Sequence, residues 1–126
     1  MVFISNKIEV RDSLTHGRGV FAKEDINEGE IIENCHFTIL EQPFISIDKK
    51  LQEYVFAWPK TSFASKSVVV WGFGSIYNHS KNNNADWMTS EENNLFTFFT
   101  IKNIKSGEEI FTNYGEGYEK VVKTVR

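Results

Sequence analysis

The apolar residues of this chain come in short runs, each closed within a few positions by Gly, Asn or Asp, and that interruption leaves little but a β-rich fold open to it. KIEVR alternates over residues 7–11. GVFA (19–22), EIIENCHFTIL (30–40), SVVVW (67–71), NLFTFFTI (94–101) and EEIFTNY (108–114) are rich in the β-branched and aromatic residues that suit a pleated, half-buried surface. The clearest helical stretch starts at Asp48, a side chain suited to an N-cap, with Leu51, Tyr54 and Val55 on one face until Pro59 interrupts. Two segments echo each other. DINEGEIIEN (25–34) and NIKSGEEIFTN (103–113) share Ile-x-x-Gly-Glu before an apolar strand, which predicts two similar turns with Gly29 and Gly107 at positive φ.

A length of 126 residues supports one hydrophobic core, so the whole chain, 1–126, reads as a single domain. Eleven Phe, three Trp and four Tyr supply a large ordered core, and a net charge of −3 is too small to argue for nucleic acid. Cys35 is the only cysteine, which excludes intrachain disulfides and thiolate zinc clusters. The N-terminal MVFISNKIEVRD lacks a signal-peptide apolar segment, and no apolar run approaches the ~20 residues of a membrane span. An intracellular, soluble protein with no membrane partner is expected.

Three stretches can carry chemistry. In THGRGVFA (15–22), Gly17 and Gly19 flank Arg18 before a strand; such a pair permits close backbone approach to a ligand, or simply makes a turn. It is not a dinucleotide fingerprint, because the third glycine and the following helix are missing. In GFGSIYNHS (72–80) and the following KNNN, Asn78 and His79 offer both donors and acceptors. A metal role is disfavoured by the lack of a second ligand at a suitable spacing, and Cys35 has for a base only the adjacent His36, which a strand would point to the opposite face. What stays open is recognition of a planar polar ligand or a loop bonded to itself through Asx and ST turns. In GEEIFTNYGEGY (107–118), Tyr114 and Tyr118 stand astride a Gly-rich turn, where their hydroxyls face either a cleft or a polar partner in the core.

Taken in order, GRGVFA, NHSKNNN and GEEIFTNYG resemble the motif set of the SET-domain protein lysine methyltransferases, over nearly the whole chain from about Ile8 to Tyr118. EYVF (53–56), GFGSIYNHS and the Tyr114, Tyr118 pair make it most similar to the minimal stand-alone members from chlorella viruses. The resemblance implies a mainly β fold of the β-clip type: small curved sheets, little helix, and a C-terminal pseudoknot where Asn78–Ser80 meets Glu109–Tyr114. It implies a single SET domain with neither a pre-SET nor a zinc-binding post-SET region, and no metal.

By the same resemblance, the cofactor S-adenosylmethionine is held by Gly17, Arg18, Gly19, Asn78 and His79, with the His79 backbone toward adenine and the Asn78 side-chain amide toward the methionine end. Tyr114 is the catalytic tyrosine, and Tyr54 and Tyr118 line the channel for the substrate lysine. Methyl transfer needs a neutral ε-amine, and a free lysine has a pKa near 10.4. Desolvation in an aromatic channel beside a positive sulfonium lowers that value, so no strong side-chain base is required. Aromatic faces also tolerate a methylated ammonium.

The chain departs from the family at two motif positions. Asn83 stands where a proline is usual, which predicts a looser turn, and Arg18 stands where the viral members carry tyrosine. With one Cys, the tail EKVVKTVR or a second subunit of a homodimer is expected to cover the site. The substrate implied is a lysine-bearing protein, a histone tail above all, placing the chain in the cytoplasm or a host nucleus. Glu108, Glu109, Glu116 and Glu119 would favour a basic peptide, or are simply solvated. Two other readings compete with the enzyme: a non-catalytic SET-like module that binds peptide or cofactor, and a small β-rich module in which the motifs are turns.

Overall fold

The computed structural model describes residues 2–15, 17–43, 46–58, 66–90 and 95–113, the side chains of 57, 58 and 90 aside. Eleven strands make up about half of the described residues. They are β1 (Phe3–Ile4), β2 (Ile8–Asp12), β3 (Arg18–Ala22), β4 (Ile31–Cys35), β5 (Phe37–Leu40), β6 (Phe56–Trp58), β7 (Lys66–Val70), β8 (Asn78–His79), β9 (Ala85–Ser90), β10 (Leu95–Thr100) and β11 (Glu109–Thr112). They form three small sheets, ordered β1-β4-β10-β9, β2-β3-β11-β8 and β5-β7-β6. The mainly β architecture of small sheets with little helix read from the sequence is the one observed.

The two echoing turns explain how the first two sheets interlock. Gly29 and Gly107 both take positive φ, 84° and 93°. Ile26 and Ile104 face each other in an antiparallel bridge, each N–H donating to the other's carbonyl at 2.8 and 2.9 Å. The Gly29 N–H donates to Thr100 O at 2.8 Å, and the Gly107 N–H to Ala22 O at 2.7 Å. Each member of a pair (26 and 104, 29 and 107, 22 and 100) lies 78 positions from its counterpart, so the two segments are related by a local pseudo-twofold axis. The strands that follow are exchanged: β4 pairs with β10 of the second half, and β11 pairs with β3 of the first.

An aromatic cluster ties the third sheet to the first. Phe56, with no exposed surface, sets its ring 5.3 Å from Trp87 at 76° and 5.1 Å from Phe96. Trp87 stacks on Phe96 at 4.5 Å and 20°, and Tyr77 meets Phe98 at 4.3 Å. Offset and edge contacts of this kind stabilise beyond the apolar area they bury.

The helix expected from Asp48 is not formed. Asp48 Oδ1 accepts the N–H of Lys50 at 2.9 Å and of Leu51 at 3.4 Å, but only a 3-10 turn over Leu51–Glu53 follows, and its N-cap position is Lys50, not Asp48. The core claims Val55 and Phe56, both fully buried, and draws the chain into β6. Leu51 and Tyr54 are left 40% and 39% exposed, so the anticipated apolar face does not exist. Among the described residues, no helix is long and apolar enough to cross a membrane.

Candidate functional site

Two of the three motifs meet along one sheet edge. β8 carries Asn78 and His79 and runs parallel to β11, with Asn78 opposite Phe111 and His79 opposite Thr112. β11 in turn lies against β3, which begins at Arg18. The glycine-flanked arginine, the Asn-His pair and the strand that precedes Tyr114 therefore share the sheet β2-β3-β11-β8, although 60 positions separate Arg18 from Asn78. The expected crossing of 78–80 with 109–114 appears here as that parallel pairing, extended by the Ser80 N–H donating to Thr112 O at 2.9 Å. The part of the crossing beyond Asn113 lies outside the described residues.

Each asparagine of the loop has separate work. The Asn84 side chain acts as a detached peptide group for β11: its Nδ2 donates to Glu109 O at 2.9 Å and its Oδ1 accepts the Phe111 N–H at 2.8 Å. Asn83 Nδ2 donates to Ala85 O at 2.7 Å, closing the turn, so the position expected to loosen it is fastened instead. The Asn82 N–H donates to Ser80 Oγ at 3.0 Å, an ST turn. Asn78 is 2% exposed and its Nδ2 donates both to Arg18 O at 3.1 Å and to Glu109 Oε2 at 2.7 Å. The self-bonded loop therefore describes residues 80–83, while Asn78 and Asn84 reach across to other strands.

Gly19 is fixed by the same cluster. A Cβ there would run into the Glu109 carboxylate and come within 3.0 Å of Asn78 Nδ2, so the close approach that this glycine permits is to its own chain. Gly17 differs: its φ is +51° and nothing lies within 4 Å of where its Cβ would be. Its carbonyl accepts the Ser13 N–H at 2.8 Å, which closes the turn between β2 and β3. Arg18 is exposed and joins Val10, Arg11 and Asp12 along an open surface depression.

The structure thus brings Arg18, Gly19 and Asn78 into direct contact and sets His79 beside Thr112. Tyr54 sits on the turn that leads into β6, on a different sheet. Tyr114 and Tyr118 lie outside the described residues, as do Glu116 and Glu119. Of the glutamates read as an acidic surface, Glu108 is exposed and its Oε1 accepts the Lys105 N–H at 2.7 Å, whereas Glu109 is half-buried and bonded on both oxygens.

Behind the Asn-His strand lies a group that sequence reading missed. Glu33, 1% exposed, accepts the Phe73 N–H at 2.8 Å on one oxygen and the Tyr77 hydroxyl at 2.9 Å on the other. It thereby holds the 72–77 turn that delivers Asn78. Burial raises the Glu33 carboxyl above its ordinary value, with the bonds from Phe73, Tyr77 and Cys35 opposing the rise. Burial and the Glu33 charge push the Tyr77 hydroxyl and the Cys35 thiol up as well. Glu33 falls within a strand-like run, and no local signal marks its side chain as inward; only the pairing of β4 with β10 turns it into the core.

Comparison with known proteins bears on the family and the fold. A model of the SET domain matches residues 17–115. The chain is 30% identical over 116 residues, 90% of its own length and 76% of the relative's, to a Schizosaccharomyces pombe protein named histone-lysine N-methyltransferase, H3 lysine-37 specific. Its fold is similar to the crystal structure of a Plasmodium falciparum candidate histone methyltransferase, with a TM-score of 0.69 at 28% identity over 90% of this chain and 96% of that one.

Proposed function

The chain belongs to the SET domain family, and from that membership we propose that it is a protein-lysine N-methyltransferase using S-adenosylmethionine on a lysine of an extended peptide, a histone tail being the leading substrate. Family membership and the relative's name support methyl transfer at the level of the family. The observation that carries the finer reading is the junction of β3, β8 and β11, which gathers three motifs distant in sequence into one corner.

The residues present fit the cofactor. Gly17 takes a positive φ and has open space where a Cβ would stand, so a flat or charged ligand can lie against the chain there. Both Asn78 amide protons are engaged by Arg18 O and Glu109, so a side-chain bond from Asn78 to a ligand would run to its oxygen, an acceptor suited to the ammonium at the methionine end. Among the described strands β8 is the last of its sheet, and the resemblance sets the His79 backbone toward the adenine. When bound, S-adenosylmethionine supplies a methyl group on a positively charged sulfonium. The chain's part is to exclude water, align the amine in line with that carbon, and favour its neutral form by desolvation. Tyr114 would orient the amine, with Tyr54 and Tyr118 walling the channel.

Calorimetric titration with S-adenosylmethionine, followed by mass spectrometry after adding mixed histones, tests this. Saturable binding and a mass gain in steps of one methyl on a lysine peptide are expected. Tyr114→Phe should keep binding and slow transfer or change the methyl number. Binding without any methyl gain on any protein would favour a non-catalytic module, and no binding would return the motifs to being turns.

A further inference from the structure

Glu109 occupies the point where the β2–β3 turn, β3, β8 and β11 converge. Its Oε1 accepts the Ser13 hydroxyl at 2.7 Å and its Oε2 accepts Asn78 Nδ2 at 2.7 Å. Ser13 Oγ itself accepts the Thr15 N–H at 2.9 Å, so the carboxylate is anchored to the turn that carries Gly17. The same carboxylate fills the space over Gly19 that any larger residue would need.

An Asn side chain can rotate its amide by half a turn and exchange its donor and acceptor ends. Here the carboxylate of Glu109 and the carbonyl of Arg18, both pure acceptors, lie against one end of Asn78. Their combined effect is to hold NH2 at that end and the oxygen at the other. A charge-assisted bond of this length is also among the stronger ones a side chain can make.

We infer that Glu109 is a positioning residue for the cofactor site: it fixes the amide orientation of Asn78 and ties Asn78 to the 13–19 turn, so that the two halves of the site keep one spacing. The inference rests on the proposed binding of S-adenosylmethionine near residues 17–19 and 78–79. It assigns Glu109 to the architecture of the site rather than to attraction of a basic peptide, the use its place among the glutamates of the C-terminal region would suggest.

Glu109→Ala removes both anchors, and the dissociation constant for S-adenosylmethionine should rise roughly 10-fold, the size expected when one charge-assisted bond that orders a ligand contact is lost. Turnover at saturating cofactor should stay within about 2-fold, since the residue acts through ground-state placement of Asn78. Glu109→Gln should restore most of the affinity, because its amide oxygen can accept from Asn78 while its NH2 donates to Ser13 Oγ. Glu109→Asp keeps the charge but is too short to reach both partners, so an intermediate loss is expected.

Titration of parent and variants by calorimetry separates the outcomes. Simple destabilisation would reduce the number of competent sites without moving the dissociation constant. Glu109→Ala binding as tightly as the parent overturns the inference and leaves the proposed function standing; if that variant does not fold, parent-like affinity in Glu109→Asp does the same. A parent that does not bind S-adenosylmethionine overturns both.

Discussion

Single side chains in this protein stand in for missing backbone partners, and their removal should be felt accordingly. Asn84 pairs with Glu109 O and the Phe111 N–H as a strand neighbour would. Asn84→Ala should cost about 2–3 kcal/mol in urea denaturation, because two half-buried backbone groups lose their partner together. A loss under about 0.5 kcal/mol would mean that water replaces the amide fully. Glu33 gives a pH signature of the opposite kind from a salt-bridged carboxylate. Its folded-state pKa lies above the ordinary 4.5, so the folded chain holds this proton more tightly than the unfolded one. Stability from this group is therefore full below the ordinary glutamate range and is lost as pH rises through the raised value. Glu33→Gln abolishes that drop: as pH rises out of the ordinary glutamate range and through the raised value, the parent should lose stability relative to the variant. A difference between the two that stays flat across this range would show that Glu33 titrates as an exposed glutamate does. Cys35, 1% exposed with its thiol pushed up, should resist alkylation in the folded chain and react at once in denaturant.

Among the elements, the aromatic seam between sheets joins β6 to β9 and β10. Phe56 touches Trp87, Phe96 and Phe98 and is fully buried. Phe56→Ala should cost about 3–5 kcal/mol, as the facing rings cannot collapse into the space left. Trp87 serves packing and polarity at once, because its indole N–H donates to Asn113 O at 2.6 Å, next to the proposed catalytic position. Trp87→Phe would keep the stack on Phe96 and lose that bond. The expected result is a smaller loss of stability, about 1–2 kcal/mol, with far-UV circular dichroism retained.

At the level of the whole molecule, the exchange of strands between the halves dictates cooperativity. Neither half completes its own sheets, since β4 needs β10 and β11 needs β3. Far-UV circular dichroism and tryptophan fluorescence should report one coincident unfolding transition. A fragment that stops before β7 should show no dispersed amide spectrum. A stable, independently folded half would contradict the exchange.

The sequence by itself determined the element types and the punctuation. Runs of β-branched and aromatic residues specify strands whatever they pair with, and Gly29 and Gly107 mark turns because only glycine takes positive φ without steric cost. The ordered motifs GRGVFA, NHSKNNN and GEEIFTNYG pointed to the family for a similar reason: each is a local pattern, and their succession is one-dimensional information. The 48–55 segment was misread because its local signals, an Asp48 suited to an N-cap and helical spacing, were overridden by the core's demand for Val55 and Phe56. Only the tertiary structure decided what the two turns are for, which glutamate is solvated and which is a hub, and that Gly19 yields its space to Glu109. Those facts depend on which strands become neighbours, and neighbourhood in a sheet is set by long-range pairing that leaves no trace within any short window of residues.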